Sequence, residues 1–215
     1  MRTKKLFIFD LDGTLVDAYT AIWKSLNFTL KKLGYSPVGF REAKENVGTG
    51  DRFFIKTFFK AKDAEEALRI YRKHHEKSLK VYAKYKPYAK KALRFLKNHE
   101  RKVAIASNRP RYFTNIILKA LDMDKYFDYI LCADQIASLK PKPKILNLIM
   151  EKFGVIKNDA VFIGDMDIDL ETAKRARLDA IFVEGGSSSL EDVKRYRGKK
   201  VISSLRGVIN VVKEE

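Results

Sequence analysis

The chain has 215 residues, of which 46% are hydrophobic and 33% charged, so it can bury a sizeable core and lacks the composition of a disordered chain. Its single cysteine, Cys132, excludes a disulfide framework and a cysteine-based zinc site. The formal net charge of +17 favours anionic partners of any kind, and so many lysines are also typical of heat-adapted proteins. No apolar run reaches the roughly 18 residues of a membrane span and no segment resembles a signal peptide, so we expect a cytoplasmic protein with no membrane partner.

Short apolar runs alternate with helical patterns along most of the chain. The runs that are typical of buried parallel strands are residues 6–9, 103–106, 129–132, 161–163 and 180–183. Between the later runs, apolar residues recur at helical spacing. The alternation predicts an α/β fold with a doubly wound parallel sheet.

The interval between the first two apolar runs breaks this rhythm. Residues 18–86 have a helical pattern and no convincing strand, and the interval is far longer than an ordinary crossover of about a dozen residues. We therefore interpret residues 17–86 as an inserted helical cap domain, and residues 1–16 with 87–215 as the α/β core domain. His74 and His75 lie within the cap pattern and are interpreted as residues of a helix surface.

Acidic and small polar residues follow three of the predicted strands. In an open parallel sheet, ligands bind beyond the carboxyl ends of the strands. The residues at these strand ends are Asp10, Asp12, Ser107, Asn108 and Asp165. We expect their side chains to meet at one edge of the sheet.

The acidic residues of this set suit phosphate chemistry with a metal ion. Asp10 and Asp12 are two positions apart and so project to the same side of an extended backbone. With Asp165 they would repel a phosphate unless a cation intervened, and oxygen ligands of this kind suit Mg²⁺. One carboxylate could attack phosphorus while another protonates the leaving alcohol. Taken alone, Asp12 and Gly13 are also typical of a simple turn.

Other polar residues admit two interpretations each. Ser107 and Asn108 could donate hydrogen bonds to a phosphate, from the hydroxyl and the backbone N–H, or could cap the helix that follows. Lys140 lies in a Lys-Pro-Lys-Pro run that would fix its direction, although a lysine alone is typical of a solvated surface. Asp169 is predicted to be the N-cap of the next helix.

Together these motifs resemble the haloacid dehalogenase-like superfamily, in particular its phosphatase branch with a helical cap inserted after the first strand. The string Phe-Asp-Leu-Asp-Gly-Thr-Leu-Val-Asp at residues 9–17 is similar to the first signature of that family without a gap. The other three signatures are matched, in order, by Ser107-Asn108, by Lys140-Pro141-Lys142-Pro143, and by Gly164-Asp165 with Asp169.

The resemblance implies a role for each matching acid. Asp10 would be the nucleophile and a Mg²⁺ ligand, and Asp165 a second ligand. Asp12 would be the general acid and base, with its backbone carbonyl also on the metal. Dehalogenating members of the family lack this acid, so the presence of Asp12 indicates a phosphatase.

The resemblance also implies roles for the polar residues around the phosphate. Ser107, Asn108 and Lys140 would hold the phosphoryl oxygens, and Asp169 would act in the outer shell of the metal or orient Lys140. Arg177 departs from the family pattern, which often has glycine there. In the cap, Arg52 could bind an anionic group of the substrate, or could be an exposed residue in the first turn of a helix.

We therefore expect a Mg²⁺-dependent phosphatase, a monomer or homodimer, that hydrolyses small phosphorylated metabolites such as phosphoglycolate through an aspartyl-phosphate. A sugar-phosphate mutase or a pyrophosphatase on the same scaffold is the alternative within the enzyme class. A basic nucleic-acid-binding protein is the alternative of another class, but the sequence shows no recognised reader motif, so nucleic acid is not the expected partner.

Overall fold

The computed structural model describes residues 4–213, which form strands, α-helices and short 3₁₀ turns. The strands are β1 (Leu6–Phe9), β2 (Val16–Asp17), β3 (Lys84–Tyr85), β4 (Lys102–Ser107), β5 (Tyr129–Cys132), β6 (Ala160–Gly164), β7 (Asp179–Val183) and β8 (Lys200–Ile202). The α-helices are α1 (Tyr19–Lys32), α2 (Phe40–Glu45), α3 (Asp51–Phe58), α4 (Ala64–Tyr82), α5 (Ala89–Asn98), α6 (Arg111–Ala120), α7 (Lys144–Phe153), α8 (Asp167–Ala176) and α9 (Arg206–Lys213). The 3₁₀ turns are Ala61–Asp63, Asp124–Tyr126, Ala133–Gln135 and Lys157–Asp159.

Six strands form one parallel sheet in the order β5-β4-β1-β6-β7-β8. The central strand is β1, and its last residue, Phe9, lies opposite Ile105 of β4 and Ile163 of β6. The three strands therefore end side by side at one edge of the sheet. Ligands bind at this edge in open parallel sheets. The predicted fold class is confirmed, with β8 as one more strand than the sequence predicted.

Apolar side chains cover both faces of the sheet. Alternate strand residues such as Phe7 and Ile105 pack against α5, α6 and α9, whereas Ile8 and Phe162 pack against α7 and α8. Because the inner strands β1 and β6 are buried on both faces, their sequences are continuous apolar runs rather than alternating ones. This is why the inner strands could be predicted from the sequence.

The helices between β2 and β3, which we call the helical insertion (residues 19–82), have an apolar cluster of their own. The cluster comprises Tyr19, Ile22, Leu26, Leu30, Ala43, Phe54, Ile55, Phe59, Ala67, Leu68 and Tyr71. At its base, Val16 and Asp17 pair in antiparallel fashion with Tyr85 and Lys84, which ties the entering and leaving chain together. The sequence predicted no strand at Lys84–Tyr85 because two residues are too few to give a pattern. Within residues 4–213, no helix combines the length and the apolar composition needed to cross a bilayer.

Candidate active site

Three buried acids form a cluster at the carboxyl edge of the sheet. Asp10 follows β1 and Asp165 follows β6, so the pairing of these strands brings the two carboxylates together. Asp169 is the third residue of α8, and one carboxylate oxygen from each of the three acids lies within 4.8 Å of the others. A Cβ at Gly164 would lie 2.4 Å from the Cβ of Asp169, so only glycine permits this close approach.

Lys140 enters this cluster as its cation. Its buried Nζ donates to Oδ1 of Asp10 over 2.6 Å and to Oδ1 of Asp169 over 2.7 Å. Burial alone would lower the pKa of Lys140, but the charges of Asp10 and Asp169 outweigh it and raise that pKa. The lysine is therefore charged. It is also buried, with 4% of its surface exposed, so the alternative of a solvated surface lysine is wrong.

One lysine does not balance three carboxylates. Burial raises the pKa of Asp10 well above its usual range, and the negative charges of Asp169 and Asp165 add to the effect, against the lowering influence of Lys140. Burial, with the charge of Asp169, also raises the pKa of Asp165 to about 6. The cluster thus has an excess of buried negative charge and of hard oxygen donors, which is the donor set that suits a Mg²⁺ ion.

Hydrogen-bond donors hold both oxygens of the Asp165 carboxylate. Thr14 Oγ1 donates to Oδ1 over 2.6 Å, and Ser187 N and the Tyr19 hydroxyl donate to Oδ2 over 2.9 and 3.2 Å. Gly13 adjoins the same carboxylate, and a Cβ there would lie 2.2 Å from Oδ2. The sequence analysis did not identify Tyr19 or Ser187, which lie in the helical insertion and in the loop after β7.

Ser107 and Asn108 organise the neighbouring loops. Ser107 Oγ accepts from Arg109 N over 3.1 Å, and α6 begins only at Arg111 after Pro110, so the alternative that Ser107 caps this helix is wrong. Asn108 Oδ1 accepts from Lys140 N over 2.8 Å, and its Nδ2 donates to Gly48 O over 2.7 Å. The side chain of Asn108 therefore fixes the Lys140 loop. The backbone N–H of Asn108 is the group that stays predicted to donate to a phosphate.

Asp169 does not cap α8 as the sequence predicted. The helix begins at Asp167 with Met166 at the N-cap position, so Asp169 lies in its first turn. Its Oδ2 accepts from Met166 N over 3.1 Å, and its Oδ1 accepts from Lys140. Both oxygens are thus engaged by the protein, which fits the expected role of orienting Lys140.

The carboxylate of Asp12 is held by an arginine that the sequence analysis did not assign. Arg109 donates from Nε to Oδ2 of Asp12 over 2.7 Å and from Nη2 to Oδ1 over 2.9 Å. Both side chains are largely withdrawn from solvent, with 7% of Arg109 and 19% of Asp12 exposed. Arg109 directly follows Ser107 and Asn108 at a strand end, and this position was the only sequence signal for its role.

His75 completes this chain of contacts from the helical insertion. Arg109 Nη1 lies 2.8 Å from His75 Nε2, and because arginine can only donate, Nε2 is the acceptor. The proton of the neutral imidazole is accordingly on Nδ1, 3.2 Å from Ser25 Oγ. Burial, and then the charge of Arg109, hold the pKa of His75 well below its usual range. The prediction that His75 is a surface residue is wrong, since it is 1% exposed.

A cavity of about 70 Å³ lies between the sheet edge and the helical insertion. Its lining comprises Asp10, Asp12, Ile22, Val47, Gly48, Gly50, Asp51, Phe54, Tyr71, His75, Ser107, Asn108, Arg109, Pro110, Phe113, Lys140 and Met166. Arg52 lies instead along a wider groove that shares Gly50, Asn108 and Lys140 with this cavity. Its Nη1 donates to Glu65 Oε1 over 2.8 Å at the surface, so its role toward substrate stays a prediction.

Comparison with known proteins identifies the family. Residues 7–183 match the haloacid dehalogenase-like hydrolases. The chain belongs to this family. Among its relatives, the phosphoglycolate phosphatase of Aquifex aeolicus is 34% identical over 172 residues, which cover 80% of this chain and 81% of the relative. The phosphorylated carbohydrates phosphatase of Thermotoga maritima is 28% identical over 213 residues, or 96% of this chain and 97% of the relative.

The fold of this haloacid dehalogenase-like hydrolase is also that of solved structures. The crystal structure of a predicted phosphoglycolate phosphatase from Haemophilus somnus superposes with a TM-score of 0.91, at 20% identity, over 98% of this chain and 99% of the other. The family match and the relatives support a phosphoric monoester hydrolase. The sequence-based assignment of the chain to this family, and to enzymes, is thereby confirmed.

Proposed function

We propose that this hydrolase is a Mg²⁺-dependent phosphatase of small phosphate monoesters that works through an aspartyl-phosphate on Asp10. The observation that carries the proposal is the position of Asp10, which is buried at the sheet edge between a charged lysine and two further acids. Phosphoglycolate is the first candidate substrate, because the Aquifex aeolicus relative is named for it.

The metal would be held by Asp10, Asp165 and the backbone carbonyl of Asp12. A bound Mg²⁺ would neutralise charge on the transferring phosphoryl group and orient it. Asp169 would stay outside this ligand set, as the family resemblance implies, and would orient Lys140, which donates to its Oδ1.

Each chemical step uses a residue that lines the cavity. Oδ2 of Asp10 forms a bond to phosphorus as the bond from phosphorus to the ester oxygen breaks, while Lys140 holds Oδ1. Asp12 gives a proton to the leaving oxygen. Asp12 then takes a proton from a water whose oxygen attacks phosphorus, and the bond to Asp10 breaks to release phosphate. The Ser107 hydroxyl and Lys140 hold the phosphoryl oxygens throughout.

The helical insertion would act as the cap over this reaction. Phe54, Tyr71 and His75 of the insertion line the cavity opposite Asp10 and Lys140, so substrate would be enclosed from both sides. Arg52, on the adjoining groove, is proposed to contact substrates that extend beyond the cavity.

The test is phosphate release from phosphoglycolate, glucose 6-phosphate and pyrophosphate, each with Mg²⁺ and with EDTA. We expect Mg²⁺-dependent release from a monoester, and a loss of at least about 10³-fold in Asp10→Asn. The matched control is Asp167→Asn, since Asp167 is half-exposed and contacts Arg195 instead of the cluster. Release only from pyrophosphate would favour a pyrophosphatase, and an isomerised sugar phosphate would favour a mutase. Metal-independent release, or none from any ester, would contradict the proposal.

A further inference from the structure

We propose that Arg109 determines specificity by binding a carboxylate on the leaving half of the substrate, in exchange for the carboxylate of Asp12. The inference rests on the proposed phosphatase function and deepens it. It assigns the substrates to phosphate monoesters that carry a second anionic group close to the ester oxygen.

The cavity has two cationic groups, and they are used differently. Lys140 lies in the acid cluster beside Asp10, where the phosphoryl group would be transferred. Arg109 lines the same cavity but contacts Asp12 and His75 instead of the cluster. A substrate with two anionic groups can therefore place one of them at Lys140 and the other at Arg109.

The positions of the two cations limit the distance between those anions. Lys140 contacts Asp10, Arg109 contacts Asp12 two positions further along the chain, and both cations line the same cavity. A substrate that engages both Lys140 and Arg109 accordingly has a short link between its phosphate and its second anion.

The structure already has a carboxylate seated on Arg109. Asp12 accepts two roughly parallel N–H bonds of 2.7 and 2.9 Å, the fork geometry by which arginine recognises carboxylates. In this arrangement both oxygens of Asp12 are engaged by the guanidinium. A substrate carboxylate in the same fork would release Asp12 toward the leaving oxygen.

The guanidinium can keep its place during such an exchange. Nη1 donates to His75 Nε2, and this contact from α4 does not involve Asp12. Asp12 is the more exposed partner of the ion pair, at 19% against 7% for Arg109. Rotation of the Asp12 side chain is therefore the smaller rearrangement.

The first experiment compares two esters that differ in one group. Phosphoglycolate and 2-hydroxyethyl phosphate are similar in size, but the second has an uncharged hydroxymethyl group in place of the carboxylate. We expect wild-type kcat/KM to favour phosphoglycolate by at least about 100-fold. Arg109 also holds Asp12, so Arg109→Met can change the turnover of both esters, but the ratio between them should fall to a few-fold, and Arg109→Lys should restore part of it.

The second experiment measures binding without turnover. Calorimetry of both esters with the Asp10→Asn protein should give a tighter Kd for phosphoglycolate, and Asp10→Asn/Arg109→Met should bind the two equally. Arg111→Met is the matched control, because Arg111 contacts Asp134 and Asn115 rather than the cavity lining. A thermal melt of each variant identifies any that fail to fold. If Arg109→Met fails to fold, Arg109→Lys, which retains the charge, replaces it in the comparison.

The outcomes separate the two levels of the proposal. If the wild-type protein hydrolyses both esters equally, or if Arg109→Met slows both to the same degree, Arg109 does not select a carboxylate while the phosphatase function stands. If the wild-type protein releases phosphate from neither ester nor from glucose 6-phosphate, the proposed function fails, and the ratio of the two Kd values still decides the role of Arg109.

Discussion

The hydroxyl of Tyr19 donates a hydrogen bond of 3.2 Å to Oδ2 of Asp165. Tyr19 begins the helical insertion, whereas Asp165 follows a core strand and is proposed as a metal ligand. Ser187 strengthens the link, since its Oγ donates to the Tyr19 hydroxyl over 2.8 Å and its N–H to the Asp165 carboxylate. Burial, with the charge of Asp165, raises the pKa of Tyr19, so the phenol keeps the proton that it donates.

Tyr19→Phe is expected to weaken Mg²⁺ binding by about 10-fold, because partners that orient a ligand typically contribute that much to metal affinity. The measurement is the Mg²⁺ concentration that gives half of the maximal rise in melting temperature. Tyr35→Phe is the control, since the Tyr35 hydroxyl contacts Asp63 within the insertion. Asp165→Asn should abolish the rise. Equal midpoints for Tyr19→Phe and Tyr35→Phe would show that Tyr19 does not orient the metal ligand.

Asp12→Ala is expected to destabilise the protein by about 2 kcal/mol. The structure shows Asp12 paired with the buried Arg109, so the substitution leaves the guanidinium without its carboxylate. Removing one partner of a buried pair costs about 3–5 kcal/mol, and the partial exposure of Asp12 reduces this. Urea unfolding should show that Asp12→Ala/Arg109→Met loses less stability than the sum of the single variants. Additive losses would mean that the ion pair contributes nothing.

The contribution of His75 to the unfolding free energy should fall between pH 7 and pH 5, against a rise from Asp165, whose folded pKa is about 6. The folded pKa of His75 lies below the usual value, so below about pH 6.5 the unfolded chain binds a proton that the folded protein does not. The contribution of His75 to the unfolding free energy is therefore fully present above pH 6.5. It declines on acidification, by up to about 1.4 kcal/mol per pH unit. His75→Gln should have a shallower decline than wild type or than His99→Gln, a change at an exposed histidine. Identical slopes for the three proteins would assign the decline to other groups.

Arg177→Gly is expected to stabilise the protein by about 0.5–1 kcal/mol. Arg177 ends α8 with φ of 57°, in the left-handed region where a side chain is unfavourable and glycine is not. Chemical denaturation should show the gain. The control is Lys174→Gly, within the last turn of the same helix, where glycine should cost about 0.5–1 kcal/mol. A loss of stability in both variants would indicate that Arg177 makes a compensating contact.

The sequence predicted those residues of the candidate site that lie at the ends of strands. Asp10 and Asp165 follow strands, and Ser107 ends one, whose apolar runs can be recognised because both faces of the sheet are covered. Strand β8 was missed because three residues at the sheet edge, beginning with a lysine, carry too little pattern. Its only neighbour in the sheet is β7.

The contributions of the helical insertion could not be predicted in the same way. Helical periodicity indicates which residues share a face, but not which core loop that face meets. His75 was therefore interpreted as a surface residue, although its partner is Arg109, and Tyr19 was not singled out, although its hydroxyl contacts Asp165. The Asp12 carboxylate was assigned from its motif, and only the structure shows the arginine that holds it.

The central place of β1 has a consequence for the order in which this protein is made. Leu6–Phe9 leaves the ribosome first, but the strands that flank it begin only at Lys102 and Ala160. Until those segments are synthesised, a fully apolar strand has no permanent neighbour, and nascent chains of this kind expose an edge that can pair with other molecules. The helical insertion is synthesised in between, and its apolar cluster comes entirely from its own residues, so burying that cluster does not wait for the later strands.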